Sequence, residues 1–188
     1  MPDLRPVFFV IGLMSSALGI LMFLPMIVDL LDEARAWQAF GVAGGITTLF
    51  GALLATITYT PNPSLRARGA FVLTVFAWIT LSVLSALPFL FEPINLSVTD
   101  ALFEATSGIT TTGSTILTGL DDMPRGVLMW RALLQWIGGV GIVVTAMAVL
   151  PMLKVGGMQL FRLESSDMGE KILPRAASLA AASALGIP

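Results

Sequence analysis

Six consecutive residues, Thr110-Thr111-Thr112-Gly113-Ser114-Thr115, gather small oxygen-bearing side chains around one glycine. Nucleophilic or metal-centred chemistry does not explain the run, because the chain holds no His and no Cys. The commonest neutral-pH base and metal ligand is therefore missing, and so are disulfides and thiolate sites. The run acquires chemical meaning if the backbone is the ligand. Rings of carbonyl oxygens can replace the hydration shell of potassium, and the best-known loop of that kind reads T-V-G-Y-G. Thr111-Thr112-Gly113 matches its T-x-G core. Gly113 can take a positive φ and turn its carbonyl where a residue with a Cβ resists turning. The ligands so read are the backbone oxygens of Thr111, Thr112, Gly113 and Ser114, with the Thr111 hydroxyl adding a side-chain oxygen. Gly119, further along the loop, is expected to tolerate replacement.

A Thr/Ser/Gly run by itself is an ordinary loop, so the flanking elements decide. The connection from Glu92 to Arg125 is too long for a helix-to-helix turn. Ser97-Val98-Thr99-Asp100 offers a helix start, with Ser97 as N-cap and an acid three residues on. Ala101, Leu102, Phe103, Ala105 and Ile109 supply apolar surface, and the helix should stop near Gly108. About 12 residues cannot cross a bilayer. A short helix, a polar run and a return to the same side describe a re-entrant loop. The short helix would aim its partially negative C-terminal end at a cation.

The surroundings are a membrane. Only 12% of the 188 residues are charged, against roughly 25% in soluble domains, and 56% are apolar. The net charge of −2 excludes a nucleic-acid footprint. Four uncharged stretches exceed the roughly 20 residues a span needs: Pro6 to Val28, Ala36 to about Tyr59, Gly69 to Phe91 and Ala132 to Leu153. The first is too long for a signal peptide and lacks a cleavage site after it. With four spans, Arg5, Arg66, Arg68, Lys154, Arg162, Lys171 and Arg175 share one side, and Arg35, Arg125 and Arg131 the other. The positive-inside rule then puts the N-terminus in the cytoplasm. Asp29, Asp32, Glu33, Glu92, Asp100, Glu104, Asp121 and Asp122 fall on the outer side, where they could form a cation-concentrating vestibule or be ordinary solvated loop residues.

Three further features each carry two readings. Arg131, beside Trp130, is a gating or ion-repelling charge, or an interfacial Arg snorkelling beside an aromatic belt. Glu104 braces the backbone behind the polar run or faces the vestibule, since a carboxylate at membrane depth must be paired or wet. Gly138-Gly139-Val140-Gly141 lacks the strand and third glycine of a dinucleotide turn, which leaves helix packing or a hinge. No phosphate-binding G-x-x-x-x-G-K-[ST] loop occurs, so the chain does not hydrolyse ATP.

The stretch Glu104-Ala105-Thr106-Ser107-Gly108-Ile109-Thr110-Thr111-Thr112-Gly113-Ser114-Thr115 resembles the first pore loop of the Trk/Ktr/HKT potassium transporters, most closely the membrane subunit of bacterial Trk systems. Ala86-Leu87-Pro88-Phe89, Leu134-Gln135-Trp136-Ile137-Gly138-Gly139 and Gly156-Gly157-Met158-Gln159-Leu160 agree in order and spacing, and the resemblance covers residues 8 to 180. It implies an all-α polytopic integral membrane protein. Two N-terminal spanning helices (1–68) would precede one M1–pore-loop–M2 repeat (69–153), with a cytoplasmic linker and the start of a truncated next repeat in 154–188. It further implies symporter-like potassium uptake without catalysis, through a filter of which Thr111, Thr112, Gly113 and Ser114 form one quarter. Glu104, Gly108 and Arg131 would support that filter. Potassium is then cargo, and no organic cofactor is expected. The implied partners are membrane lipid, the remaining repeats, a second membrane subunit and a cytosolic nucleotide-binding regulatory subunit. The implied location is the bacterial inner membrane. Two rival readings are a complete small channel assembled from four copies and a non-conducting remnant that only interacts within the membrane.

Overall fold

The computed structural model describes residues 4–61 and 67–149. Contacts divide the chain into Met1–Met147 and Ala148–Pro188, and the fold below is that of the first unit. The expected linker in 154–188, the Gly156–Leu160 stretch and the cations from Lys154 onward lie outside the described residues.

The described residues form helices and no strand: α1 (Arg5–Leu21), α2 (Phe23–Leu31), α3 (Trp37–Ile57), α4 (Ala67–Leu90), α5 (Val98–Ile109) and α6 (Arg125–Val149), with a 3-10 turn at Leu120–Asp122. Four runs are long and apolar enough to cross a membrane: Arg5–Leu31, Trp37–Ile57, Gly69–Leu90 and Arg125–Ala146. The first is interrupted at Met22, although the sequence predicted one continuous span. Pro25 has no N–H to offer the Leu21 carbonyl, so one rung of the helix is missing. Met26 N–H reaches the Met22 carbonyl at 3.3 Å and the chain resumes its helical course.

One face of α3, Phe40 apart, is lined by small side chains. Along α3, Ala39, Ala43, Gly44, Gly51 and Ala55 face inward, whereas Val42, Ile46, Leu49, Leu53 and Ile57 are exposed. Water would drive the opposite arrangement. In lipid, tails and large side chains are equally apolar, so close backbone approach between small residues drives packing. The contact between α1 and α3 shows the result: a Cβ on Gly12 would lie 2.8 Å from the Gly51 carbonyl oxygen. Only glycine at that crossing leaves the two backbones this close.

A second cluster joins all the elements. Met22, Phe40, Phe89, Ala101, Ala105, Ile109, Val127, Trp130 and Leu134 are essentially excluded from the surface. Trp130 donates its indole N–H to the Ser85 carbonyl at 3.1 Å and meets the Phe40 ring edge-on at 6.3 Å. Trp130 therefore lies in the core and not in an interfacial aromatic belt.

The last helix begins at Arg125, seven residues before the predicted Ala132. Reading only uncharged runs excluded Arg131, but a charge is tolerated inside a helix bundle when it is paired. Arg131 is paired with Glu104 of α5.

Candidate functional site

The N-terminus of α5 forms as its sequence requires. Ser97 Oγ accepts the Asp100 N–H at 3.2 Å and donates to Asp100 Oδ2 at 2.8 Å, which satisfies one orphan donor of the first turn. The buried face is Ala101, Glu104, Ala105, Ser107, Gly108 and Ile109. Phe103, predicted to join that apolar face, is instead exposed, because it lies two residues away from both Ala101 and Ala105 and so on another side of the helix. Twelve residues at 1.5 Å rise give a helix of about 18 Å, short of a bilayer core.

At its C-terminus the chain reverses through a pair of crossed bonds. Thr111 N–H donates to the Gly108 carbonyl and Thr112 N–H to the Ser107 carbonyl, both at 3.0 Å. This is the Schellman arrangement, whose left-handed position glycine usually fills. Thr111 fills it at φ 60°. A β-branched residue there is a genuine outlier and stores on the order of 1–3 kcal/mol of strain. Gly113 follows at φ 78°, as its type permits.

Residues Thr110 to Ile116 are exposed, yet they are held firmly from behind. Gly113 N–H also reaches the Ser107 carbonyl, at 3.3 Å. Ser107 Oγ donates to the Ser114 carbonyl at 2.6 Å. Among the described residues no hydrogen bond ends on the carbonyl oxygens of Thr111, Thr112 or Gly113. The Ser114 carbonyl, read from the sequence as a fourth backbone ligand, is the one that is engaged.

Glu104 anchors the next stretch. Its carboxylate is 1% exposed and accepts Thr115 Oγ1 at 2.9 and 3.0 Å and Ile116 N–H at 3.1 Å. Arg131 Nε donates to Glu104 Oε1 at 2.6 Å, with the Arg131 side chain 17% exposed. Arg131 therefore neither snorkels at an interface nor faces ions as a free charge. Its guanidinium neutralises a buried carboxylate on the neighbouring helix, and that carboxylate carries the loop. Glu104 is correspondingly no vestibule group. Asp29 leaves the predicted vestibule too: it is fully buried, and its Oδ1 accepts the Gly126 N–H at 2.6 Å.

Two glycines let α5 and α6 meet behind the loop. A Cβ on Gly108 would press the Leu134 side chain at 3.1 Å, and a Cβ on Gly138 would collide with the Ile109 carbonyl. Gly119, expected to be replaceable, has φ 68° with open space around it, so a side chain there is strained even though nothing crowds it. Sequence reasoning did not single out Ser107, Thr115 or Gly126, and it read Asp29 only as one of the outer-side acids. Ser107 and Thr115 lay within the polar stretch, but their partners are reached only through the turn.

Four helical runs long and apolar enough to cross a membrane, joined by a short capped helix and an exposed polar loop, define a polytopic integral membrane protein. Comparison with known proteins specifies the class further. The family model TrkH, described as a cation transport protein, matches residues 36–185, and the chain belongs to that family. It is 40% identical over 177 residues to the Trk system potassium uptake protein TrkI of Halomonas elongata, covering 94% of this chain and 36% of that protein. With the Trk system potassium uptake protein TrkH of Escherichia coli K12 it shares 40% identity over 174 residues, covering 91% and 36%. The crystal structure of the potassium transporter TrkH from Vibrio parahaemolyticus superposes with a TM-score of 0.74 at 34% identity, over 90% of this chain and 36% of that one. The chain thus spans about a third of the length of these relatives.

Proposed function

We propose that residues 1–188 contribute one quarter of a potassium-conducting pathway in a Trk-type uptake transporter, with no catalytic step. The supporting observation is the contrast within the loop: the carbonyls of Thr111, Thr112 and Gly113 accept no hydrogen bond among the described residues, while Ser107 and Glu104 fix the backbone on either side. Unsatisfied carbonyl oxygens on a rigid support can exchange with a hydration shell. Thr111, Thr112 and Gly113 are the proposed potassium ligands, with the Thr111 hydroxyl at the inner end. Ser114 sets the geometry through its engaged carbonyl. Glu104, Gly108 and Arg131 form the support, and α5 points its negative end at the loop.

In this reading residues 1–68 are two accessory spanning helices, 69–153 the conducting repeat and 154–188 a linker leading onward. The remaining repeats complete the filter, because a lone loop facing lipid would leave polar groups unsatisfied at several kcal/mol each. A second membrane subunit and a cytosolic nucleotide-binding subunit complete the assembly. Potassium is the only cargo, and the site calls for no organic cofactor. The protein lies in the bacterial inner membrane with its N-terminus in the cytoplasm. Reporter fusions at residues 64 and 122 check the orientation: the periplasmic reporter is expected to be active only at 122, and activity at 64 would reverse it.

The filter itself is tested by Gly113→Ser in the full-length transporter carrying this segment. A side chain at positive φ costs on the order of 1–2 kcal/mol, and Gly113 has open space around it, with only Gln135 Nε2 near, at 3.8 Å from a Cβ. Folding should therefore survive while the carbonyl turns. Potassium-over-sodium discrimination is expected to fall about tenfold, which corresponds to 1.4 kcal/mol, with near-normal insertion. Gly45→Ser is the control, since Gly45 has an ordinary φ and no atom within 4 Å of a Cβ. Equal discrimination in the Gly113 and Gly45 variants would remove the filter reading.

A further inference from the structure

The proposed pathway does not by itself use α1 and α2, yet one residue of α2 reaches the helix that supports it. Asp29 is fully buried. Its Oδ1 accepts the Gly126 N–H at 2.6 Å across 97 residues of sequence, and its Oδ2 has no hydrogen-bond partner among the described residues. Gly126 lies in the first turn of α6, where helix N–H groups have no partner within the helix and a negative charge is favoured. A Cβ on Gly126 would collide with the Asp29 carboxylate and lie 2.6 Å from the Pro25 carbonyl oxygen. Glycine at 126 and the carboxylate at 29 are thus one device, in which α2 caps α6 from outside. The neighbouring Arg125–Asp32 pair, at 3.4 Å with Arg125 78% exposed, is screened and contributes little.

Arg131 follows Gly126 by five residues, about 7.5 Å along the same helix. A helix end fixed at that range sets the height and rotation at which the Arg131 guanidinium meets Glu104, and Glu104 holds Thr115 and Ile116. We infer that Asp29 is a positioning residue for ion selectivity: its cap on α6 sets the Arg131–Glu104 bond, and through it the conducting loop. The inference rests on the loop being the conducting element. It gives the N-terminal hairpin a role beyond anchoring the chain in lipid.

The test uses the full-length transporter carrying this segment, with variants Asp29→Ala, Asp29→Asn, Gly126→Ala and the Asp29→Ala/Gly126→Ala pair, and Gly113→Ser measured in parallel. The readout is the potassium-to-sodium uptake ratio per inserted molecule, which a merely structural role would not move. Asp29→Ala and Gly126→Ala should each lower the ratio about tenfold, and the pair should be no worse than either alone, because both remove one contact. Asp29→Asn keeps an acceptor and loses only the charge, so the ratio should drop about two- to threefold. Unchanged ratios in the Asp29 and Gly126 variants, beside a shifted Gly113→Ser, would overturn the positioning role and leave the filter reading intact. Unchanged ratios in all of them would remove both. Should Asp29→Ala not reach the membrane, the isosteric Asp29→Asn decides: a two- to threefold drop supports the role and an unaltered ratio ends it.

Discussion

On the proposed reading, replacing Arg131 by Ala in a full-length Trk-type transporter carrying this segment should abolish most potassium uptake and cut the amount of inserted protein severalfold. The Glu104 carboxylate is 1% exposed, so removing its cation leaves a charge buried without a partner, which costs about 3–5 kcal/mol. Glu104→Ala should be as damaging by another route, since it frees Thr115 Oγ1 and Ile116 N–H together with Arg131. Glu104→Gln with Arg131→Leu leaves no unpaired charge and keeps an acceptor for the loop. That pair should recover a clear share of the lost abundance, as coupled sites do in a double-mutant cycle. Thermal unfolding in detergent and uptake by transporter-deficient cells measure the two effects. Additive losses below about 0.5 kcal/mol each would place the pair with ordinary surface ion pairs and contradict the bracing role.

Gly138→Ala carries the second large effect. Its Cβ would coincide with the Ile109 carbonyl, and backbone on backbone has no rotamer with which to relieve the clash. The helices α5 and α6 must separate. Ile109 immediately precedes Thr110 and the strained Thr111, so the separation reaches the loop directly. Overpacking of this kind typically costs 1–3 kcal/mol, and with backbone on both sides about 3 kcal/mol is the expected loss. The adjacent Gly139 has no atom within 4 Å of a Cβ, so Gly139→Ala should gain roughly 0.5–1 kcal/mol of helix stability. Equal melting temperatures and equal uptake for the two alanines would show that α5 and α6 do not meet at Ile109.

Both predictions concern contacts that hydropathy cannot reveal. A run of about 20 uncharged residues announces a span whatever its neighbours are, because each helix satisfies its own backbone in lipid; the four spans were legible for that reason. The short helix was legible too, since Ser97 and Asp100 make its cap locally. The turn at Gly113 could be read from residue type alone, as glycine is the residue that takes a positive φ without strain. The same logic failed at Thr111, where a β-branched residue sits at φ 60°. No local preference favours that angle, and the crossed bonds to Ser107 and Gly108 impose it.

The charged residues divide in the same way. One-dimensional reading treats a charge as a boundary, so it ended the first span before Asp29 and began the last after Arg131. Both residues are inside. Burying a charge depends on a partner, and the partners are 97 and 27 residues away. The sequence by itself determined that this chain is a bundle of lipid-spanning helices interrupted by one short helix and an oxygen-rich loop, because those features follow from local composition and capping. Only the tertiary structure decided the role of these charges: Glu104, paired with Arg131, holds Thr115 and Ile116, and Asp29 is buried against the first turn of α6 and not in a vestibule. That role arises when distant segments bring opposite charges, or a charge and a helix end, together away from water.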